Sequence, residues 1–172
     1  MNTKISIENV VALVKYNIEE INSEYIKDKK LNLEKIFKIL YENNKNIFYN
    51  KKKITISYEI NDSCVKFFIF KSGKILCMGA RSKKEMLFAL KHFKNIIGII
   101  GIKKMSTEIR NIMATSIFNY KINLEKLAEC VEIDCKIDCE IIYDSEIFHG
   151  IVCKSKFGSA NIFANGKIVI LT

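Results

Sequence analysis

A chain of 172 residues, 49% of them apolar, can build one compact domain or two small fused units and is too rich in core-forming residues to be disordered. Its apolar runs all fall short of the ~18 residues of a membrane span, and the opening MNTKISIENVVALVKYN lacks the sections of a signal peptide, so it reads as intracellular with no membrane partner. The net charge of +9 is unevenly held, +11 in residues 1–104 and −2 in residues 105–172; this favours a phosphate-bearing partner, although a Lys-, Ile- and Asn-rich chain also follows from an AT-rich genome.

Hydrophobic periodicity sets out the elements in order. Residues 5–16 read as a strand. Residues 31–42 read as a helix, with Leu33, Ile36, Phe37 and Leu40 at helical spacing and Asn32 placed to cap it. Residues 54–60, 64–70 and 74–79 are β-branched or aromatic runs, with turns at Asn61-Asp62 and Ser72-Gly73. SKKEMLFALKHFKNII (82–97) is an amphipathic helix: Ser82 caps it, Glu85 completes a capping box, and Met86, Leu87, Leu90, Phe93 and Ile97 form its apolar stripe. A strand, a helix over 122–131 and several more strands follow, with a tight turn at Asn165-Gly166.

That second series repeats the first. IENVVALV (7–14) matches IRNIMATS (109–116), KLNLEKI (30–36) matches KINLEKL (121–127), and IFKSGKIL (69–76) matches IFANGKIV (162–169). The offsets run 102, 91 and 93, which places about eleven extra residues in the first copy, around Asn17 to Lys29. The second copy stops at Thr172, where the first begins its long helix. The reading is therefore α+β: two repeats, 1–104 and 105–172, each mostly one antiparallel sheet with helices on one face, the second lacking a long helix.

The strands carry more apolar surface than one covered face needs. In NVVALV, Val11 and Leu13 point one way while Val10, Ala12 and Val14 point the other, and VKFFIF and KILCMG behave alike. The second face needs another layer, a partner or a ligand, and a sandwich-like core satisfies the pattern as well as a binding surface does. The minor groove of DNA is one such ligand, since A·T pairs present only acceptors there and apolar wedges can enter between base pairs. The six cysteines show no C-x-x-C pair and read as reduced, packed thiols; Cys135, Cys139 and His149 match no common zinc spacing. With two histidines, His92 and His149, and scattered carboxylates, nothing assembles a general acid–base pair, and no catalytic residue, metal or cofactor is expected.

The duplicated order, the asparagines opening each first strand and the IF-x-x-GK hairpins together resemble the TATA-box-binding protein family over roughly residues 5–172. YDSEIFHGIVCK (143–154) follows the family's Tyr-Glu-Pro-Glu-Leu-Phe-Pro-Gly-Leu-Ile-Tyr-Arg pattern, and YNKKKI (49–54) with ILCMGARS (75–82) is its first-copy counterpart. The resemblance implies a saddle-shaped curved sheet with helices on its convex side, acting as a general transcription initiation factor that kinks A·T-rich promoter DNA. Asn9 and Asn111 resemble the central base-reading amides, and Val11 and Met113 the groove-facing residues beside them. Phe70, Phe148 and Phe163 match three kinking phenylalanines, with Ile54 at the fourth position. Leu76 and Val169 match the groove floor, and Lys74, Lys167 and Arg81 match residues that meet the DNA backbone. Asp144, Glu146 and Ile147 lie in the loop that receives a transcription factor IIB-like protein, with the RNA polymerase machinery beyond it.

The departures are specific. Met78 and Leu171 replace groove-facing threonines, Asn161 replaces an apolar groove residue, and the family's prolines are missing. These changes imply DNA binding that reads TATA less strictly, or the same fold used as a protein-interaction subunit of a transcription complex. Ile168 and Ile170 point to the side where the second long helix would lie, which suggests a partner covering the back of the second repeat. The divergence and composition suggest a viral or parasite source. The site of action expected from the resemblance is a nucleus, a viral factory or virion, or archaeal cytoplasm.

Overall fold

The computed structural model describes residues 4–61, 63–134 and 138–172 (for 131–134, the backbone only). The chain divides into two compact units, Asn9–Arg110 and a second made of Met1–Glu8 with Asn111–Thr172.

The first unit holds β1 (Ser6–Lys15, whose first three residues belong to the other unit), β2 (Ile26–Lys27), β3 (Lys30–Leu31), α1 (Leu33–Asn43), β4 (Ile47–Asn50), β5 (Thr55–Glu59), β6 (Lys66–Phe70), β7 (Ile75–Ala80) and α2 (Lys83–Ile97). Its antiparallel sheet runs β4-β5-β6-β7-β1. Burial alternates along each strand: Val10, Ala12 and Val14 in β1, Phe67 and Ile69 in β6, and Ile75 and Cys77 in β7 are buried. The buried sides of α1 (Leu33, Ile36, Leu40) and α2 (Met86, Ala89, Phe93, Ile97) complete that core. The Phe93 ring lies parallel to Phe67 at 4.1 Å between centroids and stacks at 5.9 Å from Tyr58.

Two details of α2 differ from the sequence reading. Leu87 is exposed and Ala89 takes the inward place, because a step of 100° per residue from Met86 turns position 87 off the stripe and brings 89 and 90 back to it. The Ser82 hydroxyl accepts from the Glu85 N–H at 3.1 Å as expected, but the Glu85 carboxylate accepts from the Arg81 N–H at 2.8 Å, one residue before the cap.

The inserted residues 17–29 are structured. Two short 3-10 turns, Ile18–Glu20 and Ser23–Tyr25, lead into the β2–β3 hairpin. Asp28 and Lys29 at its tip have φ of 52° and 59°, the two left-handed positions of a type I′ turn. Buried Ile21, Tyr25 and Leu31 anchor the segment, and the Leu31 N–H donates to the Lys71 carbonyl at 2.9 Å.

The second unit holds β8 (Ser106–Ile117, whose first five residues belong to the first unit), α3 (Leu124–Asp134), β9 (Cys139–Ile142), β10 (Gly150–Ser155), β11 (Gly158–Phe163) and β12 (Lys167–Leu171). Its sheet runs β8-β12-β11-β10-β9. The core is thin: among its described residues only Ala114, Leu124 and Ile151 are buried apolar groups. Register puts Ile170 beside Ala114, and Ile168 beside Ser116 and Ile162 on the same face; both isoleucines are half-buried.

The described cysteines are not uniformly packed: Cys77 is buried, whereas Cys64 and Cys130 are exposed, and Cys135 and Asp62 lie outside the described residues. Burial, aided by the Glu85 charge, pushes the Cys77 thiol up to about 12, and burial alone lifts the Tyr16 phenol, which donates to the Gly73 carbonyl, to about 12. Both acids are favoured in their protonated form by folding. Their stabilisation is complete below the unfolded thiol's pKa near 9.0 and is lost as pH climbs towards 12, on the order of a few kcal/mol for buried Cys77 and less for half-buried Tyr16, where solvent screens the effect. Urea denaturation at stepped pH should show stability falling from pH ~9 upward; a flat profile to pH ~11 would contradict these burials.

Candidate nucleic-acid interface

The face of the first sheet opposite α1 and α2 is open and largely apolar. Cross-strand pairs align Leu13, Leu76, Phe68, Ser57 and Phe48 in one row, with Met78, Lys66 and Glu59 on one side of it. Phe70, Thr55 and Asn50 form the row on the other side. All are half-buried or exposed except Thr55. Val11 and Asn9 continue this side along β1 by alternation, and both are half-buried.

A register shift explains how Asn9 is held. Val10 pairs with Ala80 but Ala12 pairs with Cys77, so β7 carries one extra residue at Met78-Gly79. The bulge turns the Gly79 N–H to the Asn9 Oδ1 at 2.8 Å. Only glycine fits: its φ is +93°, and a Cβ would stand 2.1 Å from the Cys64 carbonyl oxygen. With its acceptor engaged, the Asn9 amide has its two N–H donors left to offer. They border a shallow depression of about 270 Å³ lined by Phe68 and Met78.

At the edge of this face, Ile54 is 46% exposed and next to Thr55, which pairs with Phe70. Its φ of 49° is unusual for a β-branched residue, a strain worth ~1–3 kcal/mol. The Asn50 side chain accepts from the Lys53 N–H at 3.0 Å and shapes the loop that presents it. Lys52, Lys53, Lys74 and Arg81 are exposed around the rim. Glu108 engages Lys15 and, at 3.1 Å, Arg110; the Lys15 hydrogen bond first, and the Arg110 charge with it, hold its carboxyl below the usual range.

The second unit repeats the pattern. Thr115, Val169, Asn161, Val152 and Ile142 form one row of its open face, and Met113, Leu171, Ser159 and Lys154 form the next. Asn111 and Met113 are half-buried on β8. Phe148 and Phe163 meet edge to face, centroids 5.7 Å apart at 63°. Gly150 lies against both rings: a Cβ there would stand 3.0 Å from Phe148 and 3.2 Å from Phe163. The preceding loop is closed by Asp144, whose carbonyl accepts from the Phe148 N–H at 2.9 Å and whose carboxylate accepts from the Glu146 N–H at 2.9 Å. Asp144 thus shapes the loop while Glu146 and Ile147 (83% exposed) face outward. Lys167 and Lys154 are exposed.

Sequence reasoning missed Leu13 and Phe68 as site residues, although the parity they share with Val11 and Phe70 could have found them. It also missed Glu8, whose carboxylate accepts from the Thr115 hydroxyl at 2.8 Å and so puts a negative charge beside the Val169–Asn161 row. Among the described residues, no group of three or more His, Cys, Asp or Glu side chains could hold a metal ion.

Comparison with known proteins matches the family described as transcription factor TFIID, or TATA-binding protein, over residues 4–99 and 106–172. TATA-box-binding protein 2 of Methanosarcina acetivorans is 27% identical, over 99% of this chain and 85% of its own. The TATA-box-binding protein of Methanothrix thermoacetophila is 28% identical, over 99% and 86%. The solved TBP of Methanococcus jannaschii shares the fold with a TM-score of 0.66 at 26% identity, covering 98% of this chain and 87% of that one.

Proposed function

Because the chain belongs to the TATA-binding protein family, whose members act as transcription factors, we propose that it binds A·T-rich promoter DNA through the minor groove and kinks it to nucleate an initiation complex. The repeats 1–104 and 105–172 supply one half-site each. The observation that carries the reading is an open apolar face in each unit, with an amide on its first strand and exposed apolar wedges at its edge.

Each part has a chemical task. The Asn9 and Asn111 amides donate to the adenine N3 and thymine O2 acceptors. Val11, Met113, Leu76 and Val169 lie against the groove floor, where charged groups would be costly to desolvate. Phe148 with Phe163, and Phe70 with Ile54, wedge between base pairs at the two ends. Lys74, Lys167 and Arg81 meet phosphates and make affinity fall steeply with salt. Met78 and Leu171 offer no hydrogen bond to a base, so discrimination among A·T-rich sequences is relaxed. Glu146 and Ile147 face outward as a docking point for a transcription factor IIB-like protein and, through it, the polymerase machinery.

The test is titration of the full chain with a labelled A·T-rich duplex, read by anisotropy and by a distance-sensitive bend signal. Saturable binding with bending is expected at low salt; no binding there would instead favour a protein-interaction subunit of a transcription complex. One variant probes the acidic intruder. Glu8→Gln keeps an acceptor for Thr115 and removes a charge facing an anionic ligand, so it should tighten binding about fivefold at low salt, with a smaller gain as salt screens it. Unchanged affinity would place Glu8 away from the bound duplex.

A further inference from the structure

The two open faces differ in one row. In the first unit that row is apolar at Leu13, Leu76 and Phe68, whereas the matching positions of the second unit are Thr115, Val169 and Asn161. All six side chains are half-buried. Two polar groups therefore stand in the second unit where the first has a leucine and a phenylalanine. The Thr115 hydroxyl donates to the Glu8 carboxylate at 2.8 Å, which leaves its oxygen as an acceptor. Among the described residues no hydrogen bond engages the Asn161 amide, so it keeps an acceptor oxygen as well as two N–H donors. Asn9 is different: its oxygen already accepts from the Gly79 N–H, and only donors remain.

We propose that Asn161 reads a G·C pair, so that the half-site under the second unit admits guanine and the half-site under the first rejects it. The inference rests on the minor-groove reading above and deepens it. A·T pairs present only acceptors in that groove, and the one group a G·C pair adds is the guanine 2-amino donor. Asn161 accepts from that amino group through Oδ1 while its Nδ2 donates to an acceptor of the same pair; over A·T only the donor finds a partner. Thr115, an acceptor in the same row, and the charge of Glu8 beside it favour the same donor. Over Leu13, Leu76 and Phe68 the guanine amino group loses its water and gains no acceptor. Asn9 and Asn111 are common to both copies and do not distinguish the halves. This row does, and it gives a near-symmetric protein a direction on its site.

The experiment titrates the full chain against duplexes whose A·T core holds a single site. One is all A·T, others carry one G·C pair at each core position in turn, and others carry that pair together with its mirror image in the opposite half. A parallel set has inosine for guanine, which removes only the 2-amino group. Wild type can turn to place a single G·C pair under the second unit. At the position that meets Asn161, one G·C pair should therefore cost less than about threefold relative to all A·T, and the mirrored two about tenfold. The inosine duplexes should bind as the all-A·T duplex does. In Asn161→Val, with an unchanged melting curve, the single G·C pair should cost about tenfold relative to the variant's own all-A·T affinity. Phe68→Asn is the reciprocal change and should bring the cost of the mirrored two down to about threefold. If no position tolerates a single G·C pair, if two cost no more than one, if inosine is penalised like guanine, or if either variant leaves the wild-type ratios in place, the role of Asn161 is refuted and the minor-groove reading stands. If wild type fails to bind the all-A·T duplex, both fall.

Discussion

Replacing Phe148 and Phe163 together with alanine is expected to abolish the DNA bend and weaken binding by at least ~30-fold while the chain stays folded, given ~1–3 kcal/mol per stacked ring. The two rings form one edge-to-face pair, so a single substitution leaves its neighbour free to shift into the space. Gly150 gives the pair its room: Phe163 ends β11, and Phe148 stands in the loop before β10, held there by its N–H bond to the Asp144 carbonyl. Phe148 is 36% exposed and Phe163 half-buried, so the double variant removes little of the core. An unchanged melting curve with a lost bend signal separates a wedge from ordinary packing. Retained bending would move the kink elsewhere, and the first unit offers less for it, since Ile54 has no ring to stack on a base.

Much of this layout is legible in the sequence, and what is not has local physical reasons. The strands around Val10, Phe67 and Ile75 and the helices capped by Asn32 and Ser82 follow from period and cap chemistry, because those signals are short-range. The β2–β3 hairpin escaped because its turn puts Asp28 and Lys29, not glycine or asparagine, in left-handed conformations. Tertiary anchoring of Tyr25 and Leu31 overrides the weak local preference. Strand β4 escaped because IFYN is four residues long and merges into the lysine loop. Within the site, alternation alone assigns Val11, Leu76 and Phe70 to one face. It cannot report that a bulge at Met78-Gly79 fixes the Asn9 amide, or that Glu8 reaches Thr115, since both depend on cross-strand register.

Truncating Phe93 should damage the molecule more than any other single change in its core. The side chain is fully buried, stacked on Phe67 and close to Tyr58, so Phe93→Ala opens a cavity between α2 and the sheet and should cost ~3–5 kcal/mol in urea denaturation. Leu87→Ala on the exposed side of the same helix should cost less than about 1 kcal/mol, which separates packing from helix propensity. The loss should reach the open face too. Phe67 alternates on β6 with Phe68 and Phe70, so the strand that carries two residues of the open face is held from behind by the Phe67–Phe93 stack. Under native conditions Phe93→Ala should therefore also weaken duplex binding, whereas Leu87→Ala should not. A cost under about 1 kcal/mol would mean that α2 is not seated on β6 through this stack, and the open face would lose its rigid backing.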